Sequence, residues 1–291
     1  MKNHNFPGFP STVVFVGQPG SGKTTVFFNL LHSPHFWNKF FDQIYLFGPT
    51  VKADKMYKTI KIDDEHICDK PKEFIPKLGK ILDEQTARVK DDPKSADKCL
   101  FVFEDMTAFF DKVQNKPEFQ RCYTQIRHLK GTSCTMVHKW KAFNRTCRVS
   151  SQHILFWNKQ RKEMEQLYED FGPEDMDVDT WCAMVKFCLT PSKPGEKPFL
   201  YINMFAPDES RFRKSFTEIV NINQTRLPQE VAPRRRKRRG RAPAIKNGNE
   251  RRARSMSPKK EESLSHHDQP SREREEGERR FTERKGTPRP G

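Results

Sequence analysis

The sequence predicts an α/β fold with a mostly parallel sheet that is covered by helices on both faces. Short runs of β-branched and aromatic residues recur along the first 230 residues, and segments with helical spacing lie between several of them. These runs are too continuously apolar for strands with one face in solvent, and they are typical of strands buried inside a parallel sheet. Alternation of such strands with helices indicates the α/β class.

Six apolar runs are predicted to be strands, and the segments between them supply the helices. The predicted strands cover residues 12–16, 43–50, 98–106, 132–138, 153–158 and 198–205. The predicted helices include residues 24–33, with Pro34 as a stop, and residues 111–129 and 159–170. Residues 50–97 are rich in lysine and in acids and carry no sharp motif, so we expect a helical insertion that decorates the sheet.

A glycine-rich loop connects the first predicted strand to the first predicted helix. Gly17, Gly22, Lys23 and Thr24 have the spacing GxxxxGK[ST], and the flanking strand and helix are the context that this P-loop motif needs. Glycines allow consecutive N–H groups to surround an anion at the positive end of a helix dipole. The motif therefore predicts a P-loop NTPase that binds ATP. The predicted binding residues are Gly17, Gln18, Pro19, Gly20, Ser21, Gly22, Lys23, Thr24 and Thr25.

The third predicted strand ends in two adjacent acids, Glu104 and Asp105. Ligands of open α/β sheets bind at the carboxyl ends of the strands, which is where these acids fall. We expect Lys23 to contact the β- and γ-phosphates, the Thr24 hydroxyl to coordinate Mg²⁺, and the two acids to divide between the metal and the attacking water. The usual order is Asp followed by a second acid, so the sequence leaves open which acid has which role. Two acids that cap a following helix near Thr107 are the alternative.

Charge is distributed unevenly along the chain and predicts two regions. The net charge is +16, and residues 232–291 carry 20 Lys and Arg against 9 Asp and Glu, with almost no large apolar residues. Such a segment buries too little apolar surface to offset the entropy of ordering it. We therefore expect an ATPase domain over residues 1–231 and a disordered basic tail over residues 232–291. The basic run from Arg234 to Arg241 predicts nucleic-acid binding and a nuclear or virion location.

The remaining composition argues against several other classes. The seven cysteines are scattered and form no CxxC pair, so neither a disulfide framework nor a zinc site is expected. The sequence contains no apolar run of membrane-spanning length, and its first residues lack the apolar stretch of a signal peptide. We therefore expect a soluble protein without a membrane partner, cytoplasmic unless the basic run directs it elsewhere.

The order of motifs along residues 11–220 resembles the poxvirus-type virion DNA-packaging ATPases. These belong to the FtsK/HerA superfamily and also occur in other large DNA viruses, virophages and Polinton or adintovirus-like elements. The segments that carry the resemblance are "GSGKTT..FNLL", "F.QIYLFGPT..AD..Y", "LFVFEDM", "IRHLKGTSCTMV", "R.SSQHILFW" and "KPFLYINMFAPDESRFRKSF". The resemblance implies a motor that hydrolyses ATP and moves double-stranded DNA, works as a homo-oligomeric ring and meets capsid proteins.

The resemblance also implies an arginine finger that reaches the active site of the neighbouring subunit. Arg148 and Arg127 are the two candidates, because each lies near the predicted fourth strand. The family usually ends this strand in a Thr-Gln pair that senses the γ-phosphate, whereas this chain has His138 and Lys139. His138 has ring nitrogens that can bond a phosphate or a water, but the departure leaves the sensing step open.

Two alternatives to a packaging motor follow from the same residues. The first is a basic nucleic-acid-binding protein with a degenerate ATP site, which the His138 and Lys139 departures and the reversed acidic pair favour. The second is another P-loop enzyme, such as a helicase or a nucleotide kinase. The arginine-rich lid of a kinase and the further coupling motifs of a helicase are not evident in the sequence.

Overall fold

A nine-stranded mixed sheet organises the described part of the chain, which in this computed structural model comprises residues 6–60, 62–105 and 110–220. Its strands are β1 (Thr12–Val16), β2 (Gln43–Phe47), β3 (Ile67–Cys68), β4 (Cys99–Phe103), β5 (Gly131–Val137), β6 (His153–Phe156), β7 (Leu200–Asn203), β8 (Phe212–Lys214) and β9 (Glu218–Ile219). All six predicted strands are therefore present, although several are shorter than the apolar runs that predicted them.

The strand order across the sheet is β3-β2-β4-β5-β1-β6-β7-β8-β9. Every pair from β3 to β6 is parallel, and the pairs β6–β7, β7–β8 and β8–β9 are antiparallel. The predicted mostly parallel sheet is thus confirmed. Because β4, β5 and β1 are adjacent and parallel, the loops that follow them meet at one edge of the sheet.

Seven α-helices lie in the described ranges. They are α1 (Lys23–His32), α2 (Phe74–Asp91), α3 (Phe110–Val113), α4 (Pro117–Thr124), α5 (Arg145–Val149), α6 (Arg161–Phe171) and α7 (Val178–Cys188). None of the helices described is long and apolar enough to cross a membrane.

Both faces of the sheet are covered, as the apolar strands predicted. On one face Val13 and Phe15 of β1 pack in the same core cluster as Phe27 of α1. On the other face Val14 and Val16 belong to a larger cluster with side chains of α2, α4, α6 and α7. Since successive residues of a strand point to opposite faces, β1 is buried on both sides and every one of its residues is enclosed.

The structure differs from the prediction in three places. The helix predicted over residues 111–129 is broken into α3, α4 and a 3₁₀ turn, because Pro117 begins a new helix and cannot continue the previous one. Helix α7 and the short strands β3, β8 and β9 were not predicted. The long helix of the predicted 50–97 insertion is α2, and the described residues before it form turns, three short 3₁₀ helices and the strand β3.

Two predictions fall outside the described residues. The boundary at residue 231 and the basic tail over residues 232–291 lie beyond residue 220, and the helix start near Thr107 lies between residues 105 and 110.

Candidate active site

The loop between β1 and α1 forms a compact turn. The Gly17 N–H donates to the Val137 carbonyl of β5 at 3.0 Å, and the Ser21 N–H donates to the Gln18 carbonyl at 3.1 Å. A Cβ on Gly17 would lie 2.6 Å from Ser21 Oγ, and Gly22 has a φ of 106° at the start of α1. Both positions therefore require glycine, one for space and the other for its backbone conformation.

Lys23 is buried at the inner side of this loop. Its Nζ donates to the carbonyls of Gly17 at 2.7 Å and Gln18 at 3.1 Å, and the residue is only 8% exposed. Burial lowers the pKa of Lys23, while Glu104 and Asp105 act in the opposite direction. A buried ammonium group that is held by two carbonyl oxygens has a strong electrostatic preference for an anion nearby.

Thr24 and Glu104 connect the P-loop to the acidic strand. Thr24 Oγ1 donates to Glu104 Oε1 at 2.8 Å, although the two residues are 80 positions apart. The other carboxylate oxygen of Glu104 is buried and has no hydrogen-bond partner among the described residues. Burial raises the pKa of Glu104, whereas hydrogen-bonding neighbours Tyr57 and Thr24 lower it. The structure thus brings together the hydroxyl that the sequence assigned to Mg²⁺ and one of the two acids between which the sequence left the metal role open.

Asp105 has a different environment from Glu104. Its side chain is 43% exposed, and its backbone adopts the left-handed conformation with a φ of 46°. Asp105 Oδ1 lies 4.0 Å from Nε2 of His138, which follows β5 directly. Burial lowers the pKa of His138, and Lys23 also lowers it while Asp105 raises it. A non-glycine residue with positive φ is uncommon and is a frequent feature of functional sites.

The other predicted P-loop residues line the mouth of the loop. Gln18, Pro19, Gly20 and Thr25 are exposed, and Ser21 is half-buried. Lys139 is exposed next to the half-buried His138. The loop contacts the end of β4 through Thr24 and Glu104, and the end of β5 through Gly17 and Val137.

The two candidate arginines have opposite environments. The Arg148 side chain is 9% exposed and forms an ion pair with Asp170 at 2.9 Å, and its guanidinium packs over the Trp140 ring. Arg127 is exposed on the turn that precedes β5. The P-loop follows β1, which is parallel to β5, so Arg127 and the P-loop of the same chain lie at opposite ends of the strands. Of the two candidate arginines, Arg127 is therefore the exposed one and Arg148 the buried one.

Three residues near the site were not predicted from the sequence. Tyr57 is buried against α1 and lies near Glu104. Lys197 Nζ donates to the Gly20 carbonyl at 2.7 Å, and its own carbonyl accepts from Trp157 Nε1 at 3.1 Å. The segment before β7 thereby contacts the P-loop. Because Lys197 and Gly20 are 177 residues apart, no local pattern could have signalled their contact.

The fold and the site together define a P-loop NTPase. A buried parallel strand leads through a glycine loop into a helix, and a buried acid from a second strand contacts the threonine that follows the loop lysine. A family model described as Poxvirus A32 protein matches residues 3–176, which is more than half of the chain. The chain belongs to this family. The match confirms the resemblance to poxvirus-type packaging ATPases, and with it the predicted activity class, an ATPase of viral genome packaging.

Several solved structures are similar to this chain at low sequence identity. The genome packaging NTPase B204 from Sulfolobus turreted icosahedral virus 2, in complex with AMP, has a TM-score of 0.45 and 12% identity, and the match covers 67% of this chain and 92% of that one. ATPases 2 and 3 of EssC from Geobacillus thermodenitrificans have a TM-score of 0.41 and 13% identity, with 66% and 37% covered. The N-terminal domain of zonular occludens toxin from Neisseria meningitidis has a TM-score of 0.33 and 12% identity, with 69% and 87% covered. No curated protein sequence matches the chain.

Proposed function

We propose that this protein is a motor that hydrolyses ATP, moves double-stranded viral DNA and thereby packages it into a capsid. The observation that carries the proposal is the contact of Thr24 with Glu104 beside the buried Lys23, in a chain of the poxvirus A32 protein family. This contact links the P-loop, which we propose binds the phosphates, to Glu104, the acid that we assign below to the metal. It argues against a degenerate ATP site, and no observation on the described residues favours a helicase or a kinase.

The P-loop residues bind the phosphates of ATP in this proposal. The turn at Gly17 to Gly22 leads into the N-terminus of α1, where N–H groups without helical partners and the helix dipole favour an anion. Lys23 Nζ lies on the loop carbonyls, from which it can reach a β- or γ-phosphate oxygen. Lys197 on Gly20 adds a second positive charge close to the loop.

The residues at the end of β4 fit a magnesium ion. Mg²⁺ prefers oxygen ligands and is usually held by one or two protein oxygens together with phosphates and water. Thr24 Oγ1 and the Glu104 carboxylate supply such oxygens, and the buried Glu104 Oε2 lacks a hydrogen-bond partner among the described residues. When bound, the ion would neutralise charge that develops on the phosphates. We therefore assign Glu104 to the metal.

Asp105 has the environment of a group that acts on water. It is half-exposed at the tip of the site, and its carboxylate is directed towards His138 rather than towards Thr24. An ionised carboxylate there can orient the attacking water and accept its proton. His138 Nε2 lies 4.0 Å from Asp105 Oδ1, and we propose that His138 takes the place of the usual γ-phosphate sensor. The reversed order of the acids is thus compatible with the usual division of roles.

The DNA partner is supported by charge. Residues 1–231 carry 34 Lys and Arg against 29 Asp and Glu, so most of the net charge of +16 belongs to the proposed tail. Basic residues release counterions when they neutralise DNA phosphates, and this term dominates non-specific DNA binding. We propose that the tail holds DNA, that it directs the protein to the host nucleus or the virion, and that the ATPase domain grips the DNA during movement.

The proposal predicts that double-stranded DNA stimulates hydrolysis by the full chain. Because a translocating motor couples each ATP cycle to a step along its track, linear double-stranded DNA should raise steady-state phosphate release, and single-stranded DNA and RNA should raise it less. Added salt should shift the response to higher DNA concentration, since each neutralised phosphate contributes about 0.9 to the slope of log K against log salt. Hydrolysis that ignores DNA at every concentration and at low salt would refute the motor.

A ring with active sites between subunits predicts rescue in mixtures. Arg127→Ala keeps its own P-loop, and Lys23→Ala keeps its own arginine, so a mixed ring contains some interfaces with both groups intact. Phosphate release should therefore rise above the sum of the two separate variants, with a maximum at an intermediate mixing ratio. The matched control is Arg121→Ala. Like Arg127, Arg121 precedes β5 in the chain, and its guanidinium forms an exposed ion pair with Asp83. Mixed rings without recovery would count against Arg127.

A further inference from the structure

Apart from Ser21 Oγ in the loop itself, two buried oxygen atoms near the P-loop have no hydrogen-bond partner among the described residues. One is Oε2 of Glu104, a residue that is 8% exposed, and the other is the hydroxyl of Tyr57, which is 4% exposed. A buried polar group without a partner costs free energy, so such groups persist where they serve a function. Both atoms lie at the site, and the nucleotide-binding residues proposed above do not include Tyr57.

Both groups lie beside α1. The Tyr57 ring packs on Phe28, which is one helical turn after Thr24, and Thr24 Oγ1 donates to Glu104. Tyr57 lowers the pKa of the Glu104 carboxyl, against the larger effect of burial. Burial raises the pKa of Tyr57, and the negative charge of Glu104 raises it further. Each of the two unpartnered atoms needs a partner that the other can supply, because a phenol O–H donates a hydrogen bond and a carboxylate oxygen accepts one.

The aromatic ring of Tyr57 is fixed by the helix that follows the P-loop. Its centroid lies 5.1 Å from that of Phe28 in an edge-to-face arrangement and 6.4 Å from that of Phe27, and both are in α1. The backbone at Glu104 is fixed by β2, because the Glu104 N–H donates to the Phe47 carbonyl at 2.8 Å. Tyr57 thus connects the turn after β2, the helix after the P-loop and the acid after β4.

We propose that Tyr57 is a positioning residue for Glu104, and that its hydroxyl donates to Oε2 while Oε1 is directed at Thr24 and the metal. A carboxylate with one oxygen fixed in this way keeps a single orientation, which the metal site requires. Tyr57 itself contacts neither phosphate nor metal. The inference rests on the proposed function of Glu104, but it assigns a role to the segment after β2 that the ATPase motifs do not contain.

The proposal predicts opposite outcomes for two buried tyrosines of the same core cluster. Without metal and nucleotide, Tyr57→Phe removes a hydroxyl that has no partner among the described residues, so the melting temperature of the ligand-free chain should not fall. With Mg²⁺ and ATP, kcat should fall about 10- to 100-fold with KM for ATP nearly unchanged. The matched control is Tyr201→Phe, because the Tyr201 hydroxyl is hydrogen-bonded to His153 Nδ1 at 2.9 Å, remote from the P-loop. That variant should lose thermal stability and keep its kcat.

Binding of a fluorescent ATP analogue gives a second measurement that does not need turnover. For Tyr57→Phe, affinity without Mg²⁺ should match the wild type, and the Mg²⁺ concentration that gives half-maximal tightening should rise about tenfold. Unchanged kcat together with an unchanged Mg²⁺ midpoint would overturn the proposal. Loss of stability parallel to the loss of kcat would also overturn it, since Tyr57 would then be structural. A wild-type chain that binds the analogue but hydrolyses no ATP would refute the proposed function, and the Mg²⁺ midpoint would still decide the role of Tyr57.

Discussion

Replacement of Lys23 by alanine is expected to reduce ATP turnover by about a hundredfold or more while the domain remains folded. The ammonium group is buried, and the two P-loop carbonyls that hold it cannot themselves stabilise negative charge on a phosphate. Removal of one preorganised donor from a site of this kind typically costs about 10²- to 10³-fold in rate. The measurement is steady-state phosphate release at saturating Mg²⁺, with far-UV circular dichroism as the test of folding.

The matched control for Lys23 is another lysine that the structure places outside the site. Lys80 is exposed on α2, on the face of the sheet opposite to α1, and forms an ion pair with Glu84 at 3.9 Å. Lys80→Ala should therefore retain wild-type turnover. If Lys23→Ala hydrolyses ATP within a few-fold of the wild type, the loop between β1 and α1 does not hold the reacting phosphates.

The two acids after β4 are expected to give different defects. Glu104→Gln should weaken Mg²⁺-dependent ATP binding, because the lost charge lies on the carboxylate that contacts Thr24. Asp105→Asn should bind ATP and Mg²⁺ normally but hydrolyse at least about 10²-fold more slowly, because an amide cannot accept the proton of the attacking water. Equilibrium binding with and without Mg²⁺ separates the first defect from the second, which appears only in single-turnover hydrolysis.

An acid outside the site controls for the loss of charge. Asp83 on α2 forms an exposed ion pair with Arg121 at 2.8 Å, and Asp83→Asn should leave both binding and hydrolysis unchanged. Normal hydrolysis by both Glu104→Gln and Asp105→Asn would remove the end of β4 from the site. The opposite pattern, with the binding defect in Asp105→Asn, would exchange the two roles proposed here.

The parts of the fold that sequence reasoning predicted are those with a local physical cause. Runs of valine, leucine and phenylalanine such as β1 and β4 are buried on both faces, and that burial is why the apolar residues are continuous in sequence. The conformation of the glycine loop is also determined locally, because the loop enters α1 through the positive φ of Gly22, which glycine adopts without strain. The acids were placed correctly because they end a buried strand, and parallel neighbours bring such ends together.

The parts that were not predicted depend on contacts between distant segments. Tyr57 has no local pattern that distinguishes it from other aromatic core residues, and only folding brings its hydroxyl to Glu104. Arg148 looked equivalent to Arg127 in sequence, yet its partner Asp170 lies on α6, 22 residues further along the chain. Short strands such as β9, with two residues, form by pairing at a sheet edge and carry too little periodicity to recognise.

The most direct test of the motor is displacement of a third strand from a DNA triplex by the full chain. An enzyme that translocates along double-stranded DNA removes a bound third strand in its path, whereas an ATPase that only binds DNA leaves the strand in place. We expect displacement with ATP, none with a non-hydrolysable analogue, and none with Asp105→Asn at the same DNA occupancy. A third strand that remains bound while DNA-stimulated hydrolysis proceeds, or one that is released without hydrolysis, would contradict the account.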